Sequence, residues 1–272
     1  MSDQIPLRDP AMLRQRLVEW IRTQVEGAGM RGVIFGLSGG VDSAVVCGLA
    51  AEALGPERCL GVIMPAESIP EDAALAHDVA RTFGVRAIEV DLSQTVAAVR
   101  SMLHAHVDDA RSAAHGVGTG ATETSPAGSA PQEKLAQANL KPRLRMMTLY
   151  FYANLLDYLV LGTGNKAEFT LGYFTKWGDG AADGFVLADL LKHEVWALAR
   201  EIGVPAAVIE RAPSAGLWSG QTDEEEMGLR YVDIDRYLAT GTSGDASADA
   251  EIQRRNRNSR HKVASPPTAQ ID

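Results

Sequence analysis

Cysteine is nearly absent from this chain: only Cys47 and Cys59 occur in 272 residues, at a spacing that fits neither a zinc site nor a dithiol redox pair. Cys47 falls in an apolar helical pattern and Cys59 opens an apolar strand, so both are expected as core thiols in a reducing compartment. No apolar run approaches the ~18 residues of a membrane helix, and Met1 to Pro10 is too polar for a secretory leader. A cytoplasmic protein without a membrane partner is expected. Positive charge is also in short supply, with 26 Lys and Arg against 35 Asp and Glu, a formal net charge of −9. That balance argues against wrapping a nucleic acid, which needs many phosphate contacts, but permits a small anionic ligand held by a few local cations. What remains, 46% hydrophobic and 22% charged, is the composition of an ordinary globular chain able to bury a full core.

Two common nucleotide signatures are missing as well, the Gly-Lys-Ser/Thr of a Walker loop and the Gly-x-Gly-x-x-Gly of a dinucleotide fold. In their place stands Phe35-Gly36-Leu37-Ser38-Gly39-Gly40-Val41-Asp42-Ser43-Ala44, directly after an apolar run and directly before a helical pattern. A strand that turns through glycines into a helix aims backbone N–H groups, backed by the helix dipole, at one anion. Ser38 and Ser43 add hydroxyl donors. Asp42 beside bound phosphates implies a divalent cation between them, so the segment predicts a nucleoside triphosphate with Mg²⁺.

Helical spacing of Leu13, Leu17, Val18, Ile21 and Val25 predicts a first helix closed at Gly27 and Gly29. Strands are expected at Val33–Leu37, Leu60–Met64 and Val85–Val90, with helices running to Leu54 and from Glu71 to Phe83. This alternation predicts an α/β fold, a parallel twisted sheet with helices on both faces, Rossmann-like in a single domain over 1–272. Leu159 to Leu161 reads as a fourth strand ending in the glycine-rich Gly162-Thr163-Gly164-Asn165. The dense apolar stretch Arg145 to Leu159 reads as a mostly buried helix whose extra apolar side suits a subunit interface. Ser112 to Pro131 reads as a mobile low-complexity insertion. Thr222 and Glu225 suit a capping box, Gly241 to Ser247 a flexible connection, and 254–272 a basic C-terminal tail.

The Ser38 to Ser43 loop resembles that of the N-type ATP pyrophosphatases, enzymes of the adenine nucleotide alpha hydrolase-like fold that adenylylate a substrate and release pyrophosphate. Separate blocks narrow the resemblance: Asn139 to Met146, Gly162 to Glu168, Gly172-Tyr-Phe-Thr-Lys176-Trp-Gly-Asp-Gly180-Ala-Ala-Asp183, Pro213 to Leu217, Gln221 to Glu224 and Arg254 to Lys262 are similar to the ammonia-dependent NAD synthetases. Pro142 stands where that family usually has a small residue, and Ser214 where it usually has Thr.

The resemblance implies amidation of deamido-NAD to NAD with ATP as co-substrate, through an adenylate, with release of AMP and pyrophosphate. It assigns Gly36, Leu37, Ser38, Gly39, Gly40, Val41, Asp42, Ser43, Thr163, Lys192 and Ser214 to ATP, and Asp42 and Glu168 to magnesium. Arg143, Lys176, Asp183, His261 and Lys262 fall to deamido-NAD, and a homodimer is implied. Asp42, Lys192 and Asp179 stand at the reaction, Asp179 being either a turn residue or a group beside the reacting carboxyl. From the residues alone, Glu168 also reads as a helical surface charge and His261-Lys262 as a basic tail. A glutaminase needs an activated cysteine, and neither thiol has such a setting, so free ammonia is the expected donor unless a separate glutaminase subunit docks. Two other readings stay open: another amidotransferase synthetase such as the one making GMP, or a catalytically silent nucleotide-binding regulatory subunit.

Overall fold

The computed structural model describes residues 5–115, 130–213 and 222–271. Five strands form one parallel sheet in the order β3-β2-β1-β4-β5: β1 Gly32–Gly36, β2 Cys59–Ile63, β3 Arg86–Glu89, β4 Tyr158–Gly162 and β5 Gly184–Phe185. The strand order reverses between β1 and β4, and in such sheets the crevice beyond the carboxyl ends at that reversal receives the ligand. The glycine-rich ends Gly36 and Gly162 both open there.

Period-2 alternation along β1 decides what packs where. Val33 and Phe35 enter one apolar cluster with α1 Pro10–Gly27, α2 Val41–Leu54, α3 Pro70–Thr82, α9 Lys192–Glu201 and α10 Ala206–Ile209. Ile34 points to the opposite face, where it meets α4 Ser93–His104 and α7 Leu140–Leu156. A strand covered on both sides reads as the continuous apolar run found in the sequence. α5 Val107–His115 and α6 Ala130–Ala138 lie between α4 and α7. A third apolar cluster joins α8 Lys166–Leu171, α11 Asp223–Met227, α12 Tyr231–Thr240 and α13 Ala246–Val263 into a helical lobe.

Several expectations change. The supposed insertion begins and ends in helix, at residues 112–115 of α5 and 130–131 of α6, while 116–129 lies outside the described residues. The basic tail is helical through Val263, because Ile252 anchors α13 in the third cluster. The connection before α13 is tied down: the buried Ser243 donates from N and Oγ to Asp249 Oδ1, at 2.7 and 2.5 Å. Thr222 makes no side-chain cap; Glu224 instead accepts the Tyr231 N–H at 2.7 Å. Only Lys141, Pro142 and Ala153 of α7 are fully buried, so that helix is far less enclosed than its apolar content suggests.

Both cysteines are buried free thiols, and desolvation pushes each up to about 12. Groups raised in the folded state contribute stability that is complete below the ordinary thiol value of 9.0 and is lost as the pH climbs towards about 12. A thiol reagent at pH 8 should therefore label neither cysteine in native protein and both in urea. The urea midpoint should fall between pH 9 and 11, and less steeply once Cys47 and Cys59 are both alanine.

Candidate active site

The loop after β1 is built by its own small residues. Gly39 takes φ +80°, a conformation that side chains resist, and a methyl group there would run into the Asp72 carbonyl oxygen. The two serine hydroxyls lie 3.1 Å apart; Ser43 Oγ donates to the Gly40 carbonyl at 2.9 Å and accepts the Ser38 N–H at 3.2 Å. Gly40 caps α2 with no side chain of its own, so the first-turn N–H groups of this buried helix face the end of the sheet. Leu37 anchors the loop to β2 by donating to Val62 O at 2.9 Å.

Asp42, in the first turn of α2, meets groups far away in sequence. Its Oδ1 accepts from Asn165 Nδ2 at 3.1 Å, and its Oδ2 pairs closely with the Lys192 ammonium. Asn165 follows β4 and caps α8: its side chain accepts the Glu168 N–H while Glu168 Oε2 accepts the Asn165 N–H at 2.9 Å. The capping box of the site is thus Asn165 to Glu168, and its Asn-x-x-Glu spacing was visible in the sequence. Thr163 lies between β4 and this cap.

Lys192 is 1% exposed at the start of α9. Burial works against its ammonium, yet the charges of Asp42 and Glu168 outweigh it and hold its pKa above the ordinary lysine value. Burial, then the Asp42 charge, lifts the Glu168 carboxyl well above the usual carboxylate range. Asp223, 4% exposed, is raised by burial too; Tyr231 donates to its Oδ2 at 3.0 Å, whereas Oδ1 has no hydrogen-bond partner among the described residues. Sequence reasoning missed Asn165, Asp223 and Tyr231 as parts of this cluster.

A second group of expected residues gathers around the loop after α8. Lys176 Nζ donates to the His261 carbonyl at 2.5 Å, and Arg143 donates to the Lys176 carbonyl at 3.3 Å. Lys262 Nζ ties down the same loop, donating to Gly172 O and Phe174 O at 2.7 and 2.8 Å. Burial lowers its pKa below the ordinary lysine value. Asp179 Oδ1 accepts the Thr175 N–H at 2.8 Å within this loop, and burial raises its carboxyl above the ordinary aspartate value. Asp183 sits apart at the β4 edge, where its carboxylate accepts from Val160 N at 2.8 Å and Tyr150 Oη at 3.1 Å. Burial first and Asp183 second push the Tyr150 phenol up to about 12. Ser214 lies outside the described residues.

Two carboxylates, a buried ammonium and a helix N-terminus meeting beyond the ends of β1 and β4 can hold a polyphosphate and neutralise charge on a leaving group. Comparison with known proteins identifies the family. The chain is 46% identical over 252 residues to the NH(3)-dependent NAD(+) synthetase of Carboxydothermus hydrogenoformans, covering 93% of this chain and 94% of that one. The solved NMN synthetase from Francisella tularensis superposes with a TM-score of 0.83 at 32% identity, covering 97% of this chain and 100% of the other. The glutamine-dependent NAD+ synthetase of Acinetobacter baumannii superposes with a TM-score of 0.63 at 28% identity, covering 99% of this chain and 48% of that one. The profile of the NAD synthase family matches residues 13–266, which include every element around Asp42 and Lys192, and the chain belongs to that family.

Proposed function

We propose that this chain is an ammonia-dependent NAD synthetase acting on deamido-NAD as one domain in the cytoplasm. A nicotinate oxygen attacks the α-phosphorus of ATP, the bond to the β-phosphate oxygen breaks, and pyrophosphate leaves. Ammonia then attacks the acyl carbon, loses a proton, and expels AMP. The carrying observation is the meeting of Asp42, Glu168 and Lys192 beyond the Ser-Gly-Gly loop at the strand reversal. Ser38, Gly39, Gly40, Ser43 and the first turn of α2 cradle the pyrophosphate, and Lys192 offsets its charge.

Asp42 and Glu168 are the residues that would hold magnesium. The donor set fits: both are hard oxygen ligands, and Glu168 is raised first by burial and then by the Asp42 charge, a repulsion that a cation relieves. Among the described residues no His, Cys, Asp and Glu cluster of three or more is assembled for a metal, which magnesium does not require when phosphates and water complete its shell. When bound, the ion neutralises charge on the departing pyrophosphate. Arg143, Lys176, His261 and Lys262 would frame the deamido-NAD site. Ammonia as donor is supported by the relative of matching length and by two thiols buried away from any nucleophilic role.

The test is direct. ATP, deamido-NAD and ammonium should give AMP, pyrophosphate and NAD in equal amounts, and ADP with inorganic phosphate would overturn the assignment. Nicotinate mononucleotide offered instead should turn over more slowly; faster turnover would reassign the substrate to the smaller acid.

A homodimer is supported by α7, where Met147, Phe151 and Leu155 recur every four residues and are 56%, 64% and 67% exposed. A stripe of this kind is covered in most soluble proteins. Phe151→Glu should weaken self-association by about thirty-fold or more, measured by light scattering across a dilution series. A wild-type monomer at micromolar concentration would remove the dimer. Among the described residues no helix is long and apolar enough to cross a membrane.

A further inference from the structure

Lys192 opens a helix that has no cap of its own. Its N-cap is Leu191, whose side chain cannot accept a hydrogen bond, yet the first N–H groups of a buried helix need acceptors. They find one in Asp235, which lies on α12 in the helical lobe and is completely buried. Asp235 Oδ1 accepts the Lys192 N–H at 3.1 Å, and Oδ2 accepts the His193 N–H at 2.8 Å. The same Oδ2 pairs with His193 Nδ1 at 2.7 Å, so the imidazole braces the carboxylate from the side.

One turn earlier on α12, Tyr231 places its ring 5.2 Å from the Lys192 ammonium. The helix that pins the Lys192 backbone therefore also walls its side chain. From the other side, Arg8 grips Glu194 through Nε and Nη2 at 2.8 and 2.6 Å, and Glu194 Oε2 accepts the Leu191 N–H at 3.0 Å. The start of α9 is thus held at three consecutive backbone N–H groups, two of them by Asp235.

We propose that Asp235 is a positioning residue, braced by His193, that fixes the Lys192 ammonium against Asp42 and so sets the rate of adenylate formation. The inference rests on Lys192 acting at the phosphates. A carboxylate accepting two N–H groups at a helix start is charge-assisted and directional, which a neutral residue cannot reproduce. A misplacement on the ångström scale at a reacting centre costs up to about a hundred-fold in rate.

Asp235→Asn keeps the shape but turns an amide NH₂ toward one N–H donor. Its kcat for pyrophosphate release should fall about ten- to a hundred-fold, while KM for ATP moves less than about three-fold. His193→Ala, at a half-buried position, leaves both backbone contacts and should lower kcat about three- to ten-fold with the same unchanged KM. It also covers the case in which Asp235→Asn does not fold. Ile252→Ala loosens the same lobe from α13, leaving the Asp235 carboxylate and the two N–H groups it accepts in place, and should keep wild-type kcat at temperatures where it is folded. Combined with Lys192→Ala, Asp235→Asn should add no further loss. Wild-type kcat in folded Asp235→Asn, wild-type kcat in His193→Ala, fully additive losses with Lys192→Ala, or an equal kcat loss in Ile252→Ala would each overturn the positioning role. Full activity in Lys192→Ala alone would instead remove the lysine assignment on which it rests.

Discussion

Asp42→Asn should abolish adenylate formation, lowering deamido-NAD-dependent pyrophosphate release by about a thousand-fold or more, on the scale of a lost preorganised charge at a reaction centre. The substitution removes the charge that faces Lys192 and sets an amide group beside an ammonium that cannot accept from it. It also disturbs the contact with Asn165, which joins the ends of the two central strands. The fold should survive. Glu168, raised by burial and then by the Asp42 charge, stays beside the buried lysine and is relieved of that repulsion when the charge is removed. Circular dichroism should match wild type, with the melting temperature lowered by only a few degrees. Wild-type NAD production by this variant would remove both the phosphate and the metal roles of Asp42.

Gly39→Ala tests the loop by a different route, through its backbone. The residue sits at φ +80°, and the added methyl would overlap the Asp72 carbonyl oxygen and press on Leu75 Cβ at 3.2 Å. A non-glycine residue in that region costs roughly 1–3 kcal/mol, and the overlap forces the loop and α3 apart as well. Loss of ATP binding in isothermal titration is expected, with a smaller drop in thermal stability because the sheet beneath is untouched. Gly40→Ala is the contrast. That position meets only Ser38 Oγ at 3.4 Å and needs no unusual φ, so it should lose much less affinity. Equal affinities in the two variants would show that the turn at Gly39 does not shape the phosphate cradle.

Much of the architecture was legible because it is written in short range. The β1 run, its glycine turn and the α2 pattern lie within about two dozen consecutive residues, and each obeys a local rule of periodicity or backbone freedom. The same holds for α1, β2 and β3, whose apolar spacing matches the faces they bury. β5 escaped notice because two residues carry no periodicity. The capping box was sought at Thr222 and formed at Asn165, since both segments offer an acidic residue at the third position and only tertiary packing chooses between them. The C-terminal helix looked like a tail because its charged residues hide one anchoring isoleucine, which acquires meaning only beside α8 and α12.

The sequence by itself determined that a strand–glycine–helix unit would present N–H donors, two hydroxyls and one carboxylate to a polyphosphate, because bond geometry within ten residues suffices for that. Only the tertiary structure decided which cation would answer Asp42. Lys192 is 150 positions away and Asp235, which holds it, a further 43. Long-range pairings of this kind leave no spacing in the chain, since they depend on how two apolar cores close on the sheet and a third builds the helical lobe, and on the cost of burying a charge without a partner.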